Sequence, residues 1–349
     1  MFMGLAGILS TRSYLKAPLY HLIYEWEDDL ATALRVPVLN ALPPLRRVII
    51  NRLSRKVLRV AGQKTLAAVS NMVETANLFR PSNGYYLVYE LGANVEPNFS
   101  TSPKAIPAFI DLWQQNNWQA FEVLYRACPL VLISSLETLE YMKSTGCSLN
   151  LAHFPLSLSD RHRAAPGTVY EKEYDILLAG KLDVRTSQIL RYYLQTFSQK
   201  YPKVEYLYQQ EIAGEFHYVS NLRGPIGKFQ SRESYIGLLQ ASKISFYSTP
   251  GLDGGEKRTG GFNPVTPRYL ELLNAQCLLL GRYPDNAETR FYEVDKVCPN
   301  ITSYEQFEQT ILQYLAMQTA PLDLYTEILQ KHYTSQRAIQ LQELLKQLN

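Results

Sequence analysis

At 349 residues, with 46% hydrophobic and 19% charged residues, the chain has the composition of a folded globular protein. It is longer than one hydrophobic core usually grows, which favours two domains. A net charge of +3 lacks the concentrated basic footprint that nucleic acid requires, and four cysteines without C-x-x-C spacing indicate neither a zinc site nor a disulfide framework, so a reducing cytoplasm is the expected location.

In chain order, the apolar run MGLAGILS at residues 3–10 is too short to span a bilayer and has no positive leading segment, so it reads as a buried strand. A helical pattern covers residues 18–34, and VPVLN at 36–40 reads as a second strand. No acidic residue occurs from Leu30 to Val73. Within that stretch, residues 45–62 place Ile50, Leu53, Val57 and Val60 on one helical face and Arg52, Arg55 and Arg59 on another. This basic amphipathic helix admits two readings: a core helix with a solvated face, or a peripheral contact with an anionic membrane.

Further strands are expected in YYLVYELG (85–92), KAIPAFID (104–111) and PLVLISS (129–135), each followed by a helix or loop. Residues 158–174 are polar, carry Pro166-Gly167 and read as the linker between domains. A second series follows with YDILLAG, VEYLY, KISFYS and QCLLLG. This alternation implies an α/β chain of two doubly wound, Rossmann-like domains, 1–165 and 166–332. The 25 tyrosines suit core-edge packing in such a fold.

Ligands of doubly wound sheets bind outside the carboxyl ends of the strands, which selects the loops at 90–104, 180–186 and 249–266. Gly180, Lys181 and Arg185 follow YDILLAG; they read either as a tight turn with two solvated cations or as a phosphate site at a helix start. The stretch from Ser248 to Val265 holds five glycines together with Lys257 and Arg258, flexible and charged enough to fold over a diphosphate. It ends at Thr266, a good N-cap, then Pro267, a preferred first helical residue, then Arg268; together they aim free backbone amides into the loop. Glu271 on the same helix either complements the positive helix end or accepts hydrogen bonds from ribose hydroxyls.

The order of these features in NPVTPRYLELLNAQCLLLG resembles the donor-site pattern of GT-B glycosyltransferases, of the group-1, family-4-like class. That pattern has two acids separated by seven residues, with proline after the first. Glu271 matches the second acid, which in the family holds the ribose, whereas Asn263 stands in place of the first and Gln276 where glycine is usual. AGKLDVR resembles the family's phosphate loop, so the resemblance gives Lys181 and Arg185 the diphosphate. It further implies that residues 333–349 pack back on the first domain, that the two domains face a cleft, and that a nucleotide sugar is the donor. The acceptor would be a glycan or lipid-linked molecule, and no metal or other cofactor would be needed. An inverting transfer also requires a general base in the first domain. Asp111, Glu90 and His153 are the candidates, against the alternatives of a helix cap for Asp111 and a satisfied core histidine for His153. Competing readings are a non-catalytic scaffold of the same fold, supported by the neutral Asn263, and a sugar-nucleotide epimerase.

Overall fold

The computed structural model describes residues 4–41, 84–92, 97–99, 101–113, 118–179, 187–229 and 231–348. The basic segment 45–62 and the three residues Gly180, Lys181 and Arg185 therefore lie outside the described residues. The chain forms two compact units, one of residues 1–134, 138–155 and 337–349, the other of residues 135–137 and 156–336.

The first unit carries a six-stranded sheet in the order β2-β1-β3-β4-β5-β6. Its strands are β1 (Leu5–Ser10), β2 (Val38–Asn40), β3 (Tyr85–Leu91), β4 (Ala105–Ile110), β5 (Val131–Ile133) and β6 (Leu151–His153). Every pairing is parallel. The described helices are α1 (His21–Leu34), α2 (Trp118–Tyr125) and α3 (Leu136–Ser144), the first turn of α3 grouping with the second unit. All of β4 is buried, and Ile8, Leu87, Val88, Ile106 and Leu132 expose no surface. Such unbroken apolar runs belong to strands covered on both faces. Trp26 of α1 supplies part of that cover, its ring 5.9 Å from that of Tyr89.

The second unit has six strands in the order β10-β9-β8-β7-β11-β12. They are β7 (Tyr174–Leu177), β8 (Tyr206–Ile212), β9 (Glu215–Ser220), β10 (Gly224–Gly227), β11 (Ser242–Ser248) and β12 (Leu278–Arg282). Around them lie α4 (Gln188–Lys200), α5 (Arg232–Gln240), the short α6 (Glu256–Thr259), α7 (Pro267–Asn274), α8 (Ala287–Phe291), α9 (Tyr304–Ala316), α10 (Leu322–Gln330) and the start of α11 (Thr334–Gln347). Neighbouring strand residues point to opposite cores. Leu177 and Leu279 pack with Ile236 of α5, Leu270 and Leu273 of α7 and Ile328 of α10. Ile176, Leu278 and Leu280 pack with Leu194 and Phe197 of α4 and Phe307 of α9. Each such fully buried aliphatic or aromatic side chain is worth roughly 1.5–3 kcal/mol. Gly281 stands opposite Tyr247, where an added Cβ would lie 1.5 Å from the tyrosine carbonyl oxygen, so only glycine lets β12 close on β11.

Three strands were not expected from sequence. β6 is only three residues long, and β9 and β10 form an antiparallel extension of an otherwise parallel sheet. The β8–β9 turn places Ala213 and Gly214 at φ of 52° and 81°; it lacks the Asn-Gly or Asp-Gly pair that advertises such hairpins. The polar stretch 158–174, expected as the linker between domains, groups with the second unit and is strapped to it. Lys172 Nζ donates to the carbonyls of Gln240 at 2.8 Å and Ala275 at 2.7 Å, capping the carboxyl ends of α5 and α7 together. These helices therefore lie side by side and point the same way. Gln276, where glycine is usual in the family it resembles, adopts the left-handed conformation at φ 58° just beyond α7. Its side chain offsets the strain, accepting from Tyr170 N at 3.2 Å and donating to the Thr168 carbonyl at 2.7 Å. No helix among the described residues is long and apolar enough to cross a membrane.

Candidate functional site

In the second sheet the connections leave β7 in opposite directions, so the crevice outside the carboxyl ends of β7 and β11 is its topological switch point. The loop after β7 leads into residues 180–186, and the loop after β11 is the glycine-rich stretch 249–266. Of the two loops that the sequence nominates in this half, the one at 249–266 begins at this crevice, and residues 180–186 lie outside the described residues.

The glycine-rich loop is packed at its two ends, where Thr249–Gly251 and Phe262–Val265 are buried, and exposed between them around Glu256–Arg258. Gly251 sits where a Cβ would come within 2.1 Å of the Phe262 carbonyl and 2.9 Å of Asn263 Oδ1, so its glycine serves close approach. Asp253 receives Arg282 Nε at 2.6 Å, tying the loop to the end of β12. Lys257 is exposed on α6.

Asn263 is the centre of this brace. Its Oδ1 accepts from the Thr249 hydroxyl at 2.8 Å, its Nδ2 donates to the Gly261 carbonyl at 3.0 Å, and its backbone N–H donates to Glu137 at 2.5 Å. An aspartate could not make the second of these bonds. The neutral side chain thus has a local cause: it is both donor and acceptor in a buried loop closure. Glu137 also accepts from Asn286 Nδ2 at 2.7 Å. Beside it Glu288, 1% exposed, accepts from Leu136 N–H at 2.5 Å. Burial pushes the Glu288 carboxyl up to about 8, and the nearby Glu137 charge adds to the rise.

Thr266 occupies the N-cap position of α7 in extended conformation, with Pro267 at the helix start, but its side chain makes no capping bond. Its backbone N–H donates to the Tyr247 hydroxyl at 3.1 Å instead, which pins the helix start to β11. Pro267 has no N–H and the Tyr269 N–H donates to the Thr266 carbonyl at 3.0 Å, so the Arg268 N–H is the first-turn amide that this side chain leaves uncapped, and the positive end of the helix stands at the carboxyl edge of the sheet. Arg268 is half-buried and hydrogen-bonds the Tyr235 side chain. Glu271, 5% exposed, forms an ion pair with Arg232, the first residue of α5. Nothing in the sequence links these two positions; only the parallel packing of α5 and α7 brings them together.

In the first sheet the switch point lies between β1 and β3. Glu90 is there, fully buried, and its two carboxylate oxygens accept from Asn98 N–H at 2.7 Å and Asn98 Nδ2 at 2.8 Å. The Tyr14 hydroxyl donates to the Asn98 carbonyl at 2.5 Å. Glu90 is thus a brace that joins the loops after β1 and β3. Asp111 follows β4 in the left-handed region at φ 55°. His153 ends β6, where burial pulls its imidazole down to about 4, and its carbonyl accepts from Gln340 Nε2 at 2.9 Å. A neutral imidazole so weakly basic is poorly matched to general-base work at neutral pH. With strands about 4.8 Å apart, Glu90 and His153 stand roughly 14 Å apart along the sheet edge, so these two base candidates do not converge, whereas Asp111 follows the strand next to that of Glu90. Sequence reading missed a charged cluster that joins the loop after β1 to α1: Arg12 Nη2 lies 3.0 Å from Glu27 and 2.7 Å from Asp28, and burial pushes Glu27 up to about 7. Among the described residues no group of three or more His, Cys, Asp or Glu side chains could hold a metal ion.

No protein-family model and no curated protein matches the chain. Among solved structures, HepE of Anabaena in complex with UDP-glucose is 12% identical, with 99% of this chain and 100% of that chain covered and a TM-score of 0.47. The pneumococcal O-GlcNAc transferase GtfA in complex with UDP and GlcNAc is 10% identical, covers 80% of this chain and has a TM-score of 0.46. Sucrose-phosphate synthase from Thermosynechococcus elongatus is 10% identical, with 79% of this chain and 77% of that chain covered and a TM-score of 0.44. The chain spans 57% of the matched chain in the GtfA/B complex and 59% of GtfA.

Two predictions follow from the Asn263 and Glu288 brace. Asn263→Asp, which restores the acid of the resembled pattern, should lower stability by about 1–3 kcal/mol, because a carboxylate then faces the Gly261 carbonyl and Glu137. Urea unfolding measures it, and a neutral or stabilising effect would contradict the role given to Nδ2. Glu288 keeps its proton in the folded chain up to about pH 8 but releases it near 4.5 when unfolded. The native state binds more protons between those values, so stability declines as pH rises through that window. Glu288→Gln should flatten this decline in melting temperature recorded across pH 5–9; an unchanged slope would remove Glu288 as its source.

Proposed function

We propose that the chain is a glycosyltransferase that moves a sugar from a nucleoside-diphosphate donor to a surface polysaccharide or glycolipid acceptor, without a metal. The observation that carries this reading is the start of α7: a helix end at a sheet switch point where the Thr266 side chain leaves the Arg268 N–H uncapped, with the Glu271 carboxylate one turn further on. The positive end of a helix suits a diphosphate, and a carboxylate along the same helix suits a vicinal diol. In this reading Lys181 and Arg185 add charge-assisted bonds to the diphosphate, and Arg268 and Lys257 contribute positive potential. Stabilisation of the departing nucleoside diphosphate by cations and helix amides does not require a metal ion. In this reading Asp111 serves as the first-domain base, since Glu90 is engaged by Asn98 and His153 is weakly basic.

One observation favours a second reading, a nucleotide-binding scaffold without turnover. Both polar atoms of the Asn263 side chain close its own loop, whereas the resemblance puts an acid at this position. A thermal-shift panel of UDP, GDP, dTDP and their sugars separates these ideas from a chain that binds no nucleotide. One base should raise the melting temperature, and Glu271→Ala should cut that affinity by about tenfold or more. Silence across the panel would contradict both readings, whereas binding without sugar transfer or donor hydrolysis would favour the scaffold.

A further inference from the structure

The Arg232–Glu271 pair has a geometry that stability alone does not explain. A buried ion pair gains little over an apolar pair of the same volume, because both charges lose their water. Here the two partners are unequally covered: the Glu271 side chain is 6% exposed and that of Arg232 is 18% exposed. Arg232 opens α5 behind Ser231, whose hydroxyl accepts from Ser234 N–H and fixes that helix start. Because Lys172 holds the far ends of α5 and α7 together, both helix starts lie at the carboxyl edge of the sheet, Arg232 beside the second turn of α7. Arg268 is nearer to Glu271 in sequence but turns to Tyr235, leaving Arg232 as the cation bonded to this carboxylate.

Resting on the ribose role proposed for Glu271, we infer that Arg232 is a positioning residue: it orients the Glu271 carboxylate so that the site selects ribose over deoxyribose. A free glutamate side chain rotates about three bonds, and holding one oxygen removes most of that freedom. The ion pair engages Oε1. A carboxylate has about four lone-pair sites, so acceptor capacity remains for two neighbouring hydroxyls. A ligand lacking the 2′-hydroxyl then leaves one of these acceptors buried and unpaired, which is what makes such a site discriminating.

The test is the ratio of ribonucleotide to deoxyribonucleotide affinity, measured by titration calorimetry on the full chain. The ligands are UDP with 2′-deoxy-UDP and GDP with 2′-deoxy-GDP, applied to the wild type, Glu271→Gln, Arg232→Gln and Arg232→Lys. The wild type should favour one ribonucleotide by about tenfold or more, a ratio that Glu271→Gln collapses. Arg232→Gln should bring the ratio to within about threefold of unity. Arg232→Lys keeps the charge but not the planar fork, so its ratio should fall between these, and it carries the test if Arg232→Gln does not fold. An unchanged ratio in either Arg232 variant, with both affinities falling together, would make Arg232 merely structural and overturn the inference. A wild type that binds both members of a pair equally overturns the ribose role of Glu271, and one that binds neither pair overturns the nucleotide reading itself.

Discussion

The candidate donor site depends on how α7 begins. Pro267 fixes the backbone at its start, and the Thr266 N–H donates to the hydroxyl of Tyr247, itself buried in β11. That bond ties the helix to the strand on one side of the switch point. It also determines where the first-turn amides and Glu271 stand. From the other end, Lys172 ties α7 to α5, so that Arg232 meets Glu271. With both ends fixed, the α7 backbone is set before any ligand arrives, which is the condition for electrostatic recognition that needs little reorganisation.

Much of this frame was legible in the sequence because the relevant cues are local. The apolar runs around Leu87, Ile106, Ile176 and Leu279 announce strands buried on both faces, and Thr266-Pro267 announces a helix start. The parts that were not legible depend on distant partners or on weak local cues. Arg232 reads only as a residue after a serine cap, Glu137 and Glu288 only as first-turn acids, and β9 alternates too little in burial to stand out. The polar residues of 158–174 resemble a solvated linker until their partners, the carbonyl ends of α5 and α7, are visible. Glu90 ends in an apolar strand at a rim where a base is plausible, and only Asn98 reveals it as a brace.

The neutral Asn263 carries the main departure from the resembled pattern, and the structure gives it a physical reason. A residue that must donate to Gly261 and accept from Thr249 in a closed loop is served by an amide rather than a carboxylate. Burial and the Glu137 carboxylate make further negative charge there costly, as the raised Glu288 carboxyl shows. Gln276 shows the same pattern: it replaces a glycine in the left-handed conformation and recovers the strain through two bonds to the strap. Both departures therefore stabilise the second unit without disturbing the start of α7.

The central claim is that Glu271 receives the ribose of a nucleoside diphosphate whose phosphates lie at the α7 start. A crystal structure of the chain soaked with UDP or GDP tests it most directly. The account predicts ribose hydroxyls within about 3 Å of the Glu271 carboxylate and phosphate oxygens at a similar distance from the Arg268 N–H at the start of α7. A nucleotide bound elsewhere, or one whose ribose faces solvent with the Arg232–Glu271 pair shielded from it, would contradict the account.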